Sequence, residues 1–219
     1  MKINKRLAAI VSLLCLSLFA EVQAQSDDVP KFELGVQFTS ITKPAFGATE
    51  PGFGGRFTFN LNRSVALEAV GNFFPHKCNY CGGGGAFGDN SGNITQGLFG
   101  VKAGKRFEKW GIFGKAWPGV VSFSEGDSKF FLVSPNGFGI LQNRLTHFAA
   151  DLGGVLEFYP SRRIVTRFEA GDTLIHYGQR QSNSLTFDPI TGVPALFPFT
   201  TRSETRHNFQ FVAGVGWRF

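Results

Sequence analysis

The sequence predicts an all-β protein, an eight-stranded antiparallel up-and-down barrel with its apolar face turned outward. Three observations predict it: the composition, a two-residue alternation that recurs along the chain, and connections that alternate between tight turns and long polar loops. The 219 residues include 26 Phe and 28 Gly against one Met. That is too aromatic for a disordered chain, and no long stretch carries the period of an amphipathic helix.

In an extended chain successive side chains point to opposite faces, so alternation marks strands. The first strand runs near "KFELGVQFTS", with Phe32, Leu34, Val36 and Phe38 on one face. The second, "GRFTFNL", aligns Phe57, Phe59 and Leu61, and "NRS" turns it into "VALEAVGNFF", with Val65, Leu67, Ala69 and Phe73. In the fourth, "GLFGVKAGKRF", Phe99, Val101, Ala103 and Phe107 alternate with Gly100, Lys102, Gly104 and Arg106. "EKW" leads to the fifth, "GIFGKAWPGVVSF". The sixth, "HFAADLGGVLEFY", sets Phe148, Ala150, Leu152, Leu156 and Phe158 against Asp151, Gly153 and Glu157. After "PSRR", the seventh, "IVTRFEAGDTLIHY", sets Ile164, Thr166, Phe168 and Ala170 against Arg167 and Glu169. The eighth is the closing "NFQFVAGVGWRF", with Phe209, Phe211, Ala213, Val215, Trp217 and Phe219 in alternate positions.

Between the tight turns lie polar, Gly- and Pro-bearing loops at roughly 39–52, 75–93, 124–142 and 178–205. Short connections at one end and long ones at the other, with an even strand count, are the pattern of a barrel that crosses a membrane. About ten residues per strand at ~3.3 Å each, tilted by about 40°, span roughly 25 Å, the height of such a barrel's apolar band.

Charge within the strands falls mostly opposite the phenylalanines. The acids are Glu33, Glu68, Asp151, Glu157 and Glu169; the bases are Arg56, Lys102, Arg106, Lys115, Arg167 and Arg218. A soluble barrel or sandwich places charge outside and apolar side chains inside, and the sequence favours the inverse. Five acids against six bases is near balance, so these residues are expected to pair in a lumen just wide enough for side chains to fill. Phe113 and Trp117, which share the inward face of the fifth strand with Lys115, add bulk. A plugged barrel is the expectation, and a narrow channel for small solutes or ions is the alternative.

The N-terminus "MKINKRLAAIVSLLCLSLFAEVQAQ" combines basic Lys2, Lys5 and Arg6 with an apolar run from Ala8 to Ala20 and a small-x-small site at Val22-Gln23-Ala24. That is the pattern of a secretory signal peptide, and the run is too short to span a bilayer as a helix. Leu14 stands before Cys15, where a lipoprotein signal has a small residue. Residues 1–24 are therefore expected to be cleaved, leaving a barrel domain of 25–219. Losing Lys2, Lys5, Arg6 and Glu21 lowers the formal charge from +6 to +4. No basic cluster interleaved with aromatics points to nucleic acid.

The chain resembles the small eight-stranded outer-membrane β-barrels, the OmpA/OmpX-like group. The residues that carry the resemblance are Phe211, Ala213, Val215, Trp217 and Phe219, which match that family's C-terminal assembly signal, and "DLGGVLEFYPSRRIVTRFEAGDT", which looks like one of its hairpins. The resemblance implies an integral protein of the bacterial outer membrane with periplasmic turns and extracellular loops. Its implied partners are membrane lipid and lipopolysaccharide, the barrel-assembly machinery, and a surface ligand of the outer loops. It leaves the function open.

Two residues strain the pattern. Pro118 cannot donate to a ladder and a closed barrel has no edge, so a bulge or a strand end is expected there. Asp172 falls on the lipid face, either near the outer interface or beyond a bulge at Gly171 that reverses the alternation.

Cys78 and Cys81 in "CNYC" are expected to form a loop disulfide in an oxidising compartment. The spacing also fits a redox or half-zinc motif, but the strand–helix context and further ligands are missing beyond His76. Gly83 to Gly88 fits GxGxxG without the strand and helix that give that motif meaning. There is no GxSxG, HExxH or GK[ST], and His147 is followed by Phe148 and Ala149, so the His-x-Ser pair of the lipid A deacylases is absent. No cofactor and no enzymatic activity are expected; lipid modification is the remaining enzymatic alternative. The fourth long loop, with Arg180, Arg202 and Arg206 around "VPALFPF", suits contact with an anionic surface as well as simple solvation.

Overall fold

The structure, a computed structural model, describes residues 29–43, 48–75, 93–134, 137–187, 192 and 194–219. The expected signal peptide at 1–24, His76, Cys78, Cys81 and Gly83 to Gly88 lie outside the described residues.

The strands are β1 (Phe32–Lys43), β2 (Ala48–Asn60), β3 (Val65–Phe74), β4 (Ile94–Arg106), β5 (Trp110–Ser134), β6 (Gly137–Phe158), β7 (Ile164–Tyr177), β8 (Arg180–Phe187), β9 (Pro194–Thr201) and β10 (Glu204–Arg218). Eight of them, all but β8 and β9, form a closed antiparallel barrel in chain order, sealed where β10 pairs with β1. The seam is anchored at its lower end by reciprocal backbone bonds of 2.9 Å between Phe32 and Phe219. Closure pairs backbone groups that an open edge would leave bare, which lipid cannot satisfy.

The tight turns are built by local side-chain chemistry. Asn62 Oδ1 accepts from the backbone N–H groups of Ser64 and Val65 at 2.7 and 2.8 Å, and Ser161 Oγ accepts from those of Arg163 and Ile164 at 3.3 and 3.1 Å. Such Asx and Ser turns reverse the chain in a few residues.

Three of the four expected long loops differ from what is observed, and the remaining one, 75–93, lies outside the described residues but for its two ends. The segment 39–52 is largely strand, since β1 reaches Lys43 and β2 starts at Ala48. The segment 124–142 is also mostly strand. β5 stays paired with β6 as far as Ser134↔Gly137, although β4 accompanies β5 only to Phe123 and β7 accompanies β6 only to Phe148. Beyond those points β5 and β6 leave the barrel wall as a hairpin, with a register shift between Phe123 and Asp127 at the exit. In 178–205, β8 and β9 form a separate two-stranded sheet. Pro194 and Pro198 belong to β9, and a lone hairpin has outer edges where a missing N–H costs no ladder bond.

The bulge or strand end expected at Pro118 is not there. Pro118 lies well inside β5, opposite Ala150 of β6 in unbroken register. On the other side Leu98↔Gly119 and Val101↔Ala116 share one register, so the ladder to β4 merely skips the pairs between them. The missing N–H opens the ladder in one place, and the strand on either side holds the register. Asp172 likewise sits in a continuous register, Gly171↔Gln210 followed by Phe209↔Asp172, so no bulge reverses the alternation.

The barrel is inverted relative to a soluble one. Phe32, Leu34, Val36 and Phe38 on β1, Phe53 and Phe57 on β2, Phe99 and Val101 on β4, Phe148 and Leu152 on β6, and Phe209, Phe211, Val215 and Trp217 on β10 are 37–67 % exposed. Every alternate position between them on β10, from Asn208 to Val212, is buried in the lumen.

Candidate functional site

The lumen is filled in three layers. The lowest is ionic. Glu68 on β3 accepts from Arg167 Nη1 and Nη2 of β7 at 2.6 and 2.9 Å, from Thr58 Oγ1 of β2 at 2.9 Å, and faces Lys102 Nζ of β4 at 3.1 Å. Lys102 also donates to Glu157 on β6 at 2.5 Å. Lys115 on β5 joins Asp151 and Glu169 at 2.5 and 2.8 Å, and Arg167 Nε lies 2.6 Å from Glu169. Arg106 stands 3.6 Å from Glu157 and 3.8 Å from Glu33, near the short turns. All eleven in-strand charges named from the sequence face the lumen. Ten are brought into this cluster, and Arg218 lies below it, donating to the Ser161 carbonyl at 3.0 Å.

Arg56 is the loosest member. Glu169 is 3.9 Å away, and none of its three guanidinium nitrogens has a hydrogen-bond partner among the described residues. Its head lies close to the backbone at Gly35 and Gly216, where an added Cβ would come within 3.2 and 3.3 Å of Nη2. Trp117, 1 % exposed, covers the ionic layer, with Lys115 Nζ 4.2 Å and Arg167 Cζ 5.4 Å from its ring centre.

The middle layer is made of amides and hydroxyls. Gln37 donates to Asn72 at 2.8 Å, Asn72 to Gln96 at 2.7 Å, Gln210 to Thr39 at 3.1 Å and Thr173 to Gln210 at 2.7 Å. Gln96 and Gln210 bond each other reciprocally at 3.1 and 3.2 Å, so one network crosses the lumen. The top layer is apolar: Ile41, Phe74, Ile94, Val121, Ala149 and Ile175, with Phe123 and Tyr177 packed against them. His147, a mouth residue in the sequence, lies beside this plug, its ring 4.5 Å from that of Tyr177.

The upper two layers carry no charge that marks them in the sequence. Their parity was available, since each lies an even number of positions from an inward charge on its strand, as Asn72 and Phe74 do from Glu68. An isolated Ile or Phe gives no other sign of which face it occupies. A wall that is apolar outside, around a lumen that holds buried charge, has to stand in lipid.

No family model matches the chain, and no curated protein matches it. Solved structures do. Ail, the attachment invasion locus protein of Yersinia pestis, in complex with the heparin analogue sucrose octasulfate, is similar at 11 % identity and TM-score 0.44, over 86 % of this chain and 96 % of that one. Neisserial surface protein A is similar at 10 % identity and TM-score 0.45, over 88 % and 100 %. OprG of Pseudomonas aeruginosa is similar at 12 % identity and TM-score 0.44, over 87 % and 96 %. These neighbours are small eight-stranded outer-membrane β-barrels. The likeness is one of fold.

On the outer face of β7 and β10 a polar patch stands above the apolar wall. His207 Nδ1 lies 2.6 Å from Asp172 Oδ2, and Asn208 N–H donates to Asp172 Oδ1 at 3.1 Å. His176 Nδ1 is 3.0 Å from Thr205 Oγ1, and its Nε2 is 3.2 Å from Ser203 Oγ. A hydroxyl beside an imidazole is the start of a nucleophilic pair. Here a hydroxyl rather than a carboxylate orients His176, while Asp172 is engaged by His207. The patch suits the polar boundary of a membrane better than acyl transfer. Among the described residues no group of three or more His, Cys, Asp or Glu could hold a metal ion.

Proposed function

We propose that the chain is an integral barrel of a bacterial outer membrane, exported by residues 1–24 and folded from 25–219. Its lumen is closed by its own side chains, and its function is carried by the outer connections, including the β5–β6 extension and the β8–β9 hairpin. In this reading Cys78 and Cys81 form a disulfide in one outer loop, and lipid, lipopolysaccharide and a surface ligand are the partners. Phe211, Ala213, Val215, Trp217 and Phe219 form the segment read by the assembly machinery.

The observation that carries the closed reading is the burial of Arg167, Lys102, Glu68 and Glu157 at the centre of the barrel, each at 0–1 % exposure, beneath Trp117 and the apolar plug. Ions crossing there would have to separate paired charges and then pass a dry layer. A narrow channel is the second reading. Arg56 favours it, because buried guanidinium donors are ordinarily satisfied, by water where protein offers no partner. Single-channel recording of the folded protein in a planar bilayer decides between them. Silence from inserted barrels is the expected result, and a steady, reproducible step would overturn it.

A further inference from the structure

The three tight turns and the barrel seam enclose a bowl of about 940 Å³ at the lower mouth. Six cations line it: Arg63, Arg106, Lys109, Arg162, Arg163 and Arg218. The opposing charges are few. Glu108 is the one acidic side chain in the lining, the carboxylate of Phe219 adds a second negative charge, and Glu33 and Glu157 reach Arg106 from the lumen side at 3.8 and 3.6 Å. Arg106 and Arg218 are themselves two of the six lumen bases, so the five lumen acids exceed the other four bases by one, and that surplus already faces Arg106 through Glu33 and Glu157.

The two deepest cations are held in place. Arg106 and Arg218 are each 6 % exposed at the side chain or residue level. Tyr159 organises both. Arg106 Nε donates to its hydroxyl at 3.0 Å, the hydroxyl donates to Glu157 at 2.8 Å, and the Arg218 guanidinium lies 4.5 Å above its ring. Burial and the neighbouring Glu157 carboxylate hold the Tyr159 hydroxyl above its ordinary pKa, so it stays a neutral donor. Even so, Arg106 Nη1 and Arg218 Nε have no hydrogen-bond partner among the described residues. Buried cationic donors that are fixed and unsatisfied, at the base of a cationic bowl, form a preorganised anion receptor.

We propose that this mouth binds a phosphate-type oxyanion, periplasmic in the orientation proposed above, on which that placement rests. Guanidinium forks match tetrahedral oxyanions, and several converging cations favour a multiply charged group over a single carboxylate. Two sources fit the chemistry: a soluble phosphate compound, or the headgroup of an anionic lipid in the adjacent leaflet. Arg163 already reaches toward the lipid side, its guanidinium 5.9 Å from the ring centre of the outward-facing Trp217.

The test uses the full mature chain folded in zwitterionic nanodiscs, with inorganic pyrophosphate titrated by calorimetry. The companion protein carries Arg162→Gln and Arg163→Gln, at two exposed turn residues, and is compared only after heat-modified gel mobility shows its barrel folded. Saturable pyrophosphate binding that weakens at least tenfold in the variant supports the site with a soluble anion as its source. Enrichment of phosphatidylglycerol around the wild type but not the variant, displaced by pyrophosphate, supports it with the lipid as its source. No binding of either probe, or binding that the variant leaves unchanged, overturns it. Orientation is tested apart: labelling of an Arg162→Cys protein from outside intact cells would overturn the periplasmic placement while the binding result stood.

Discussion

Arg167 on β7 and Glu68 on β3 clasp each other across the lumen, with two guanidinium nitrogens 2.6 and 2.9 Å from the two carboxylate oxygens. Both side chains are fully buried, and both have further partners: Arg167 meets Glu169 and Glu157, and Glu68 meets Lys102. Removing one side of a buried pair leaves a charge that water cannot reach, at a cost of about 3–5 kcal/mol, whereas replacing both with apolar groups is often nearly neutral. Glu68→Gln should therefore destabilise the barrel by roughly that amount. The double replacement Glu68→Leu, Arg167→Met should cost less, because Lys102 keeps Glu157 and Glu169 keeps Lys115. Urea unfolding of barrels refolded into vesicles measures both, and a double variant weaker than the single one would contradict the pairing.

Gly100 and Gly97 lie on the same strand and face opposite ways. A Cβ at Gly100 would come within 2.1 Å of the Ala116 carbonyl oxygen and 2.9 Å of the Trp117 ring; one at Gly97 would meet nothing within 4 Å. Trp117 lies across the lumen only because Gly100 is flat beneath it. Gly100→Ala should cost about 1–3 kcal/mol, the usual penalty of overpacking, and Gly97→Ala should be close to neutral. Adding Trp117→Ala should not rescue Gly100→Ala, since the tightest clash is with backbone. Full rescue in the same unfolding assay would show that the ring was the obstacle.

The alternation of the eight wall strands was legible because a strand period of two sorts lipid-facing from lumen-facing residues without knowledge of the partner strand. The charged layer was legible for the same reason, since Lys102, Arg167 and Glu169 interrupt apolar runs at fixed parity. The plug was not: parity with Glu68 turns Phe74 inward, but nothing local in the sequence shows that Ile41, Phe74, Ile94, Val121, Ala149 and Ile175 meet at one level of the lumen, which only the register between strands sets. Strand ends were least legible. The residues at 124–142 read as polar loop, yet a hairpin needs only backbone pairing with itself, and that pairing carries β5 and β6 past the rim. Pro118 misled in the other direction. One missing donor opens one place in a ladder, and the long strand on each side keeps its register.

Phe219 has two roles that can be separated. Its backbone closes the seam with Phe32 through two bonds of 2.9 Å, and its side chain, 61 % exposed, lies outside the barrel with ring centres 5.9 Å from Phe32. Deleting it removes both bonds and the ring; Phe219→Ala removes only the ring. If the assembly machinery reads the aromatic, both variants should lower the yield of folded barrel in membrane fractions, by similar amounts. A normal level in Phe219→Ala with a deficit in the deletion would assign the effect to seam closure, and normal levels in both would sink the assembly-signal proposal.

The patch on β7 and β10 makes the sharpest case against a hidden hydrolase. Ser203 Oγ sits 3.2 Å from His176 Nε2, a distance at which an imidazole can accept a proton from an attacking hydroxyl. An activated serine also needs its base held by a partner that stabilises the imidazolium, and Thr205 Oγ1, a neutral hydroxyl 3.0 Å from Nδ1, offers little of that. The carboxylate that could serve, Asp172, lies 2.6 Å from His207 instead. The folded protein should therefore show no Ser203-dependent labelling by a fluorophosphonate probe, and Ser203→Ala should leave the outer-leaflet lipid profile of expressing cells unchanged. Stoichiometric labelling lost in Ser203→Ala would reverse the assignment and make the polar rim an active site.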